Sequence, residues 1–162
     1  EAGITQVDAA GYPDGHPDIP PDVLRADLDL KLQLADEQDL QLGIVTQVSF
    51  APACIADYCS AIAKRAPAVP VYECIPGPTN PKQLLLFAKI CGVSTAIKAV
   101  NLLGLNAVKL ALHSSPDLQL DVLARCKSLG ESGHLAGVHV FSFGGFVESA
   151  EWMNRRGPRA VP

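Results

Sequence analysis

Four short runs of apolar and β-branched residues alternate along this chain with longer segments that favour helix, and this alternation restricts the fold more than any other feature. The runs predict strands at residues 3–10, 43–50, 69–75 and 137–143. Strands that alternate with helices form right-handed βαβ units and a parallel sheet. The pattern permits a doubly wound sheet or part of a (β/α)₈ barrel, and in both folds ligands bind at the carboxyl ends of the strands.

The segment 21–42 carries two conflicting patterns. Four leucines within residues 28–34 alternate with polar residues, which taken alone indicates a half-buried strand. Leucine is not β-branched, however, and Leu, Lys, Gln, Asp, Glu and Ala make up nearly all of the segment, so residue propensity favours helix. With Pro20 and Pro21 at its start, we predict a helix over residues 21–42.

Further helices are predicted from apolar residues at helical spacing between proline and glycine breakers, at residues 53–65, 81–91, 116–128 and 146–156. Residues 94–115 are apolar but give no clear pattern. A chain of 162 residues suits one domain with a hydrophobic core. We therefore expect a single α/β domain.

Charge and hydropathy argue against two classes of partner. The formal net charge is −4, so the chain has no basic stripe that would neutralise the phosphates of a nucleic acid. No apolar run approaches the roughly 18 to 20 residues that cross a bilayer, and the acidic start at Glu1 is unlike a signal peptide. We expect a cytoplasmic protein without nucleic-acid or membrane partners.

The five cysteines are Cys54, Cys59, Cys74, Cys91 and Cys126. Their number is odd, and they form neither a CxxC pair nor a cluster with histidine at metal-ligand spacing. We expect free thiols in a reducing compartment and no metal site.

The loop after the first predicted strand, AAGYPDGHP at residues 9–17, is rich in glycine and proline. A purely structural turn is one interpretation. Tyr12 and His16, however, each offer a flat ring with a polar tip to a site at the strand end, which suits the ribose, phosphate or ring system of a cofactor.

Two side-chain amides are candidates for binding a heterocycle. Gln47 follows the second strand, where its amide can both donate and accept hydrogen bonds and would be costly to bury without partners. Gln83 and Phe87 lie four residues apart and so share one face near the start of helix 81–91. By spacing alone, Phe87 is a core residue.

Four segments, taken together in their order and spacing, resemble the methylenetetrahydrofolate reductase family. They are AAGYPDGHP, the ADL of residues 26–28, IVTQVSF and NPKQLLLFAKICGV. The family pattern is a GYPxGHP loop, an ADL-containing helix, a TQxFF strand end, an N-x-K-Q helix with a phenylalanine four residues after the glutamine, and a last strand with HFYTLN. The resemblance covers most of residues 4–145 and implies the carboxyl half of a (β/α)₈ barrel, about its last four β/α units.

This resemblance implies a flavin-dependent oxidoreductase that interconverts 5,10-methylenetetrahydrofolate and 5-methyltetrahydrofolate by hydride transfer through noncovalently bound FAD. NADH or NADPH is the usual electron donor in much of the family. Tyr12, His16 and Asp27 fall on flavin-contacting positions, with the carboxylate of Asp27 expected to reach the ribityl or ribose hydroxyls. The lysine that contacts the cofactor phosphate falls on Gln33, although Lys31 could replace it in another helix register.

The folate-contacting positions of the family fall on Gln47, Gln83 and Phe87. The resemblance implies that the two side-chain amides contact the pterin and that the phenylalanine ring lies beside the pterin. Two segments depart from the family pattern. ECIPGPTN replaces a PGI-x-P loop, and HVFSFGG stands where the family has HFYTLNR. An arginine that helps to hold folate therefore becomes Gly145, and Arg155 could compensate.

The first half of the family's barrel carries the general-acid glutamate and the aspartate beneath the flavin, so neither can be assigned within residues 1–162. We expect residues 1–162 to lack the amino-terminal half of the barrel, and four β/α units leave open sheet edges. We expect either more chain or a second copy, and hence a homo-oligomer, to complete the sheet.

Two alternative functions stay open. The glycines of residues 142–145 follow the last predicted strand, where many barrel lyases and isomerases bind a phosphate. The chain could also be a non-catalytic barrel half that binds folate or flavin.

Overall fold

The computed structural model describes residues 3–49, 51–78 and 135–156, together with Pro116, Leu120, Leu123 and Ala124. In chain order its elements are β1 (Gln6–Gly11), α1 (Pro21–Glu37), β2 (Gln41–Thr46), α2 (Pro52–Arg65), β3 (Val71–Pro76), β4 (Leu135–Phe141) and α3 (Phe146–Arg156). The predicted α/β alternation is confirmed.

The four strands form one parallel sheet whose spatial order, β1-β2-β3-β4, is the order of the chain. Among the described strands, spatial neighbours are therefore also consecutive along the chain, and this part of the sheet contains no reversal of strand order. All four carboxyl ends lie at the same edge. Within the described residues, β1 and β4 each have one side without a neighbouring strand.

The hydrophobic core lies on one face of this sheet. Alternate residues of β2 and β3 point into it, and they meet apolar side chains of the helices because a strand places every second residue on the same face. The buried cluster comprises Leu28, Ile44, Ile55, Cys59, Ile62, Val71, Ile75, Leu123 and Leu135, with Trp152 of α3 packed against it. The helices thus cover the same face of the sheet.

The end of α1 corrects the predicted helix over residues 21–42. The helix is confirmed, but it ends at Glu37, because Asp39 adopts a left-handed backbone with φ 53°. The amide of Leu40 then donates to the carbonyl of Ala35 at 2.8 Å and that of Asp39 to Asp36 at 3.2 Å, the two bonds of a Schellman motif. Glycine usually fills the left-handed position, so an aspartate at residue 39 is not recognisable as a helix stop from local sequence.

Each predicted strand is present with different limits. The second strand begins at Gln41 rather than at residue 43, since Gln41 and Leu42 pair with Gln6 and Val7 of β1. The pairing partner, and not the local apolar pattern, sets these limits.

Some predictions lie outside the described residues. They are the helix 81–91 and the unassigned stretch 94–115. In the predicted helix 116–128, Pro116, Leu120, Leu123 and Ala124 are helical, and Leu123 is buried. Among the described helices, none is long and apolar enough to cross a membrane.

Candidate functional site

The carboxyl edge of the sheet brings the loop after β1 next to the end of β2. The amide of Gln47 donates to the carbonyl of Gly11 at 2.7 Å, which extends the β1–β2 pairing one step past the strands. At the other side, the amide of Gly77 donates to the carbonyl of Phe141 at 2.7 Å. Loop 12–17 and Gln47, singled out separately in the sequence, therefore meet at one edge.

Loop 12–17 presents its two rings together. Tyr12 and His16 form an edge-to-face pair with ring centroids 5.7 Å apart and an interplanar angle of 89°. The amide of Gly15 donates to the carbonyl of Tyr12 at 3.0 Å, and Gly15 has φ 74°, a conformation that favours glycine. The pairing holds both half-buried rings at the strand end.

The hydrogen bonding of His16 fixes which ring nitrogen can serve a ligand. Nδ1 accepts the amide of Asp18 at 3.2 Å. A neutral imidazole that accepts at Nδ1 carries its proton on Nε2, so Nε2 is left as a donor.

Beneath the loop, Tyr58 of α2 supports its first residue. Burial raises the pKa of Tyr58 to about 12, although the nearby backbone amide of Tyr12 acts in the opposite direction. A Cβ atom on Gly11 would lie 2.7 Å from both Ile44 Cγ2 and the Tyr58 oxygen. Glycine is therefore required at position 11 by this close approach.

Ser49 links the loop to the segment that follows β2. Its hydroxyl donates to Oδ1 of Asp14 at 3.0 Å and accepts the amide of Ala51 at 3.2 Å. Burial, followed by the nearby charge of Asp14, raises the pKa of the Cys54 thiol at the start of α2. The sequence analysis did not single out Asp14.

Glu73 is a buried acid at the centre of β3. Its side chain is 1% exposed, and its Oε2 accepts the hydroxyl of Thr46 at 2.5 Å. Burial raises the pKa of Glu73 to about 8, although hydrogen bonds from Thr46 and from the Ser49 amide act in the opposite direction. Oε1 has no hydrogen-bond partner within the described ranges. Glu73 is therefore mainly protonated at neutral pH.

Sequence reasoning missed Glu73, although a signal was present. A single acidic residue interrupts the apolar run VPVYECIP, and a charged residue is seldom buried without a partner. Glu73 alternates with Val71 and Ile75, so it faces the helices. Only the fold shows that Thr46 and Ser49 lie beside it.

On the opposite face of the sheet, two glycines flank an aromatic ring. The ring of Tyr72 would lie 3.6 Å from a Cβ atom on Gly43 and 3.3 Å from one on Gly137. Along β4, the rings of His139 and Phe141 have centroids 5.0 Å apart, and Phe141 and Phe143 follow at 5.7 Å. This row of rings leads to the carboxyl edge.

The candidate residues on α1 occupy two different sides of the helix. Nζ of Lys31 lies 2.5 Å from Oδ2 of Asp27, an exposed ion pair one turn apart. Gln33 donates to Glu37 at 2.7 Å and lies on the side of α1 opposite the buried Leu28. Lys31, and not Gln33, therefore faces toward the sheet.

Lys31 lines a groove of about 350 Å³ between α1 and the outer edge of β1. Asp8, Leu34 and Gln38 are among its other lining residues. The groove lies beside the strand rather than at its carboxyl end.

Of the predicted folate contacts, the structure describes one. Gln47 is half-buried directly after β2, whereas Gln83 and Phe87 lie outside the described residues. That the side-chain amides of Gln47 and Gln83 both contact a pterin stays a prediction.

In the glycine-containing loop after β4, the backbone of Gly145 is already in contact with neighbouring backbone groups. The amide of Gly145 donates to the carbonyl of Ser142 at 2.8 Å, and a Cβ atom on Gly145 would lie 2.7 Å from the carbonyl oxygen of Pro78. Close backbone packing thus accounts for Gly145, and its amide is already used.

No protein-family model matches this chain. Across the described ranges, no three His, Cys, Asp or Glu side chains are grouped as a metal site would require. Within the part of the chain that the structure describes, Cys54, Cys59 and Cys74 are not in disulfide bonds.

Proposed function

We propose that this chain is the carboxyl half of a (β/α)₈ barrel in a flavin-dependent oxidoreductase that interconverts 5,10-methylenetetrahydrofolate and 5-methyltetrahydrofolate. The observation that carries the proposal is the 2.7 Å hydrogen bond from the Gln47 amide to the Gly11 carbonyl. This bond is made by the backbone amide of Gln47, and it joins the residue whose side chain is assigned to folate to the start of the loop assigned to flavin. Such proximity supports a site in which two ring systems stack for hydride transfer.

The sheet topology supports the barrel over a doubly wound sheet. A doubly wound sheet reverses its strand order and carries helices on both faces. Here the strands follow the order of the chain, and α1, α2 and α3 pack on one face. A barrel has this arrangement, with its interior on the face of Tyr72 and His139.

The loop residues fit the ring and sugar portions of FAD. Tyr12 and His16 offer ring surfaces, and Nε2 of His16 offers a hydrogen-bond donor. Lys31 is the α1 cation on the sheet side and would hold a phosphate, with Asp27 beside it for a hydroxyl. Lys31 would have to exchange Asp27 for the phosphate, because the two are now paired.

Held by Tyr12 and His16, FAD would supply a hydride acceptor for the methyl group of 5-methyltetrahydrofolate, with release of the folate N10 proton, and a hydride donor in the reverse direction. The residues of this chain bind and orient the reactants. Tyr12 and His16 hold the cofactor at the strand edge, and the Gln47 amide donates and accepts toward the pterin. Glu73 is not proposed as the general acid, because its side chain faces the helices.

The visible spectrum of the purified full-length protein tests this proposal. We expect the two absorption bands of an oxidised flavin, and we expect 5-methyltetrahydrofolate to bleach them under anaerobic conditions. A colourless protein that binds no added FAD would contradict the cofactor assignment. Bands that no folate bleaches would contradict the folate assignment and favour a non-catalytic flavin-binding barrel half.

A phosphate-binding lyase or isomerase has less support. That function needs free backbone amides in the loop after β4, and the Gly145 amide is engaged by Ser142.

A further inference from the structure

The hydroxyl of Thr46 connects the carboxyl end of β2 to β3. The registered pairing between these two strands ends at Val45 and Tyr72. Beyond that pair, the Cys74 amide donates to Oγ1 of Thr46 at 3.1 Å, and Oγ1 donates to Oε2 of Glu73 at 2.5 Å. The side chain of Thr46 therefore continues the contact between the two strands toward the carboxyl edge.

This link lies one residue from the proposed folate contact. Gln47 directly follows Thr46, and its backbone amide donates to the carbonyl of Gly11 at 2.7 Å. Successive residues of an extended chain point to opposite faces, so a Thr46 side chain held toward the helices directs Gln47 toward the face of Tyr72. That face is the proposed interior of the barrel.

The carboxyl of Glu73 is an unfavourable group in the core. Glu73 is 1% exposed, and its Oε1 has no hydrogen-bond partner within the described ranges. Burial of a polar atom without a partner costs free energy, so core stability alone does not account for an acid at this position. The bond from Thr46 is the observed contact through which the carboxyl can act.

We infer that Glu73, acting through the Thr46 hydroxyl, is a positioning residue for Gln47 at the carboxyl edge of the sheet. The inference rests on the proposed function for its ligand, because that function assigns the Gln47 side chain to folate. The bonds that hold Thr46 are present whatever ligand this edge binds.

Amide hydrogen exchange in the full-length protein tests the positioning without any ligand. The Gln47 amide is bonded to Gly11, so its exchange requires the end of β2 to separate from β1. Glu73→Leu removes the acceptor of the Thr46 hydroxyl and should raise the exchange rate at Gln47 by about tenfold, the effect of losing one hydrogen bond. Glu73→Gln keeps an oxygen that can accept from Thr46, so it should retain slow exchange.

Ile75→Val is the matched control for general destabilisation. It makes a small cavity on the same face of β3 and leaves both partners of the Thr46–Glu73 bond in the chain. Exchange at Gln47 should therefore rise less in Ile75→Val than in Glu73→Leu. An equal rise in the two variants would overturn the inference, and so would unchanged exchange at Gln47 in Glu73→Leu.

Turnover tests whether the positioned group is the Gln47 side chain. Glu73→Leu should lower kcat/KM for 5-methyltetrahydrofolate by about tenfold, while the bound flavin per protein stays unchanged. In a protein that already carries Gln47→Ala, Glu73→Leu should have little further effect on kcat/KM, because the group that it positions is missing. Losses that multiply in the double variant would show that Glu73 does not act through Gln47.

The proposed function and the positioning role can fail separately. If the wild-type protein binds no flavin and turns over no folate, the proposed function fails. Exchange at Gln47 in the Glu73 variants still decides the positioning role, because that measurement needs no ligand.

Discussion

Oγ1 of Thr46 on β2 and Oε2 of Glu73 on β3 lie 2.5 Å apart, although the two residues are 27 positions apart in the chain. Thr46 also accepts the Cys74 amide, so one hydroxyl satisfies two buried groups. This pair connects the core of the sheet with its carboxyl edge, and it underlies the first two predictions.

Stability should fall as the pH rises from about 5 to about 8. The pKa of Glu73 is raised to about 8, so the folded protein keeps a proton that the unfolded chain loses above its ordinary value of 4.5. The contribution is fully present below that value and is lost as pH rises, at up to about 1.4 kcal/mol per pH unit. Urea unfolding of wild type and Glu73→Gln across this range measures it.

As the pH rises, the free energy of unfolding of the wild type should fall relative to that of the Glu73→Gln variant. Glu37→Gln replaces an exposed carboxylate on α1 and serves as the control for the same substitution outside the core. Parallel curves for the wild type and Glu73→Gln would show that Glu73 is ionised in the folded protein.

Thr46→Val should destabilise the protein by about 2 kcal/mol or more. Valine has nearly the same shape but leaves Oε2 of Glu73 and the Cys74 amide without this partner. Thr46→Ser keeps the hydroxyl and should cost about 1 kcal/mol. If thermal or urea unfolding shows Thr46→Ser to be less stable than Thr46→Val, the shape of the side chain and not its hydrogen bonding accounts for the threonine at position 46.

His16→Ala and Gln47→Ala should have opposite effects on the two proposed ligands. Loss of the His16 donor should weaken flavin retention by about tenfold, with less effect on folate. Loss of the Gln47 amide should lower kcat/KM for the folate by about tenfold with the flavin retained. Flavin absorbance per protein and steady-state rates measure the two effects, and equal losses in both variants would indicate structural damage.

Lys31→Gln should weaken FAD binding, whereas Gln33→Ala should not. Lys31 lies on the sheet side of α1, and Gln33 lies on the opposite side. Because the Lys31–Asp27 pair is exposed, its loss should change stability by less than about 1 kcal/mol. FAD titration at low and high salt tests this, since the Lys31 contribution should shrink as salt is added. If Gln33→Ala weakened FAD binding more than Lys31→Gln does, the cofactor would have to lie against the other side of α1.

Local patterns were sufficient to predict the elements but not their limits. The composition of residues 21–42 predicted a helix correctly against the alternation of its leucines. The end at Glu37 depended on Asp39 adopting φ 53°, which a non-glycine residue does only in a favourable surrounding. The start of β2 depended on β1, a partner that no local pattern identifies.

The residues of the candidate site also divide into those that the sequence predicts and those that only the fold identifies. Tyr12, His16 and Gln47 are predicted as candidates from residue type and position, because strand ends in parallel sheets form ligand sites. Asp14 and Ser49 were not found, since each is an ordinary loop residue whose partner is 35 positions away. Their role depends on the bond between them.

The sequence by itself determined the α/β alternation, the strand-end loops and the residues that offer chemistry there, because periodicity and side-chain type are local properties. Only the tertiary structure decided that the described strands follow one another without reversal, that Glu73 is buried beside Thr46, and that Ser49 is bonded to Asp14 of loop 12–17. Those properties depend on burial and on contacts between distant segments, which arise when the chain packs.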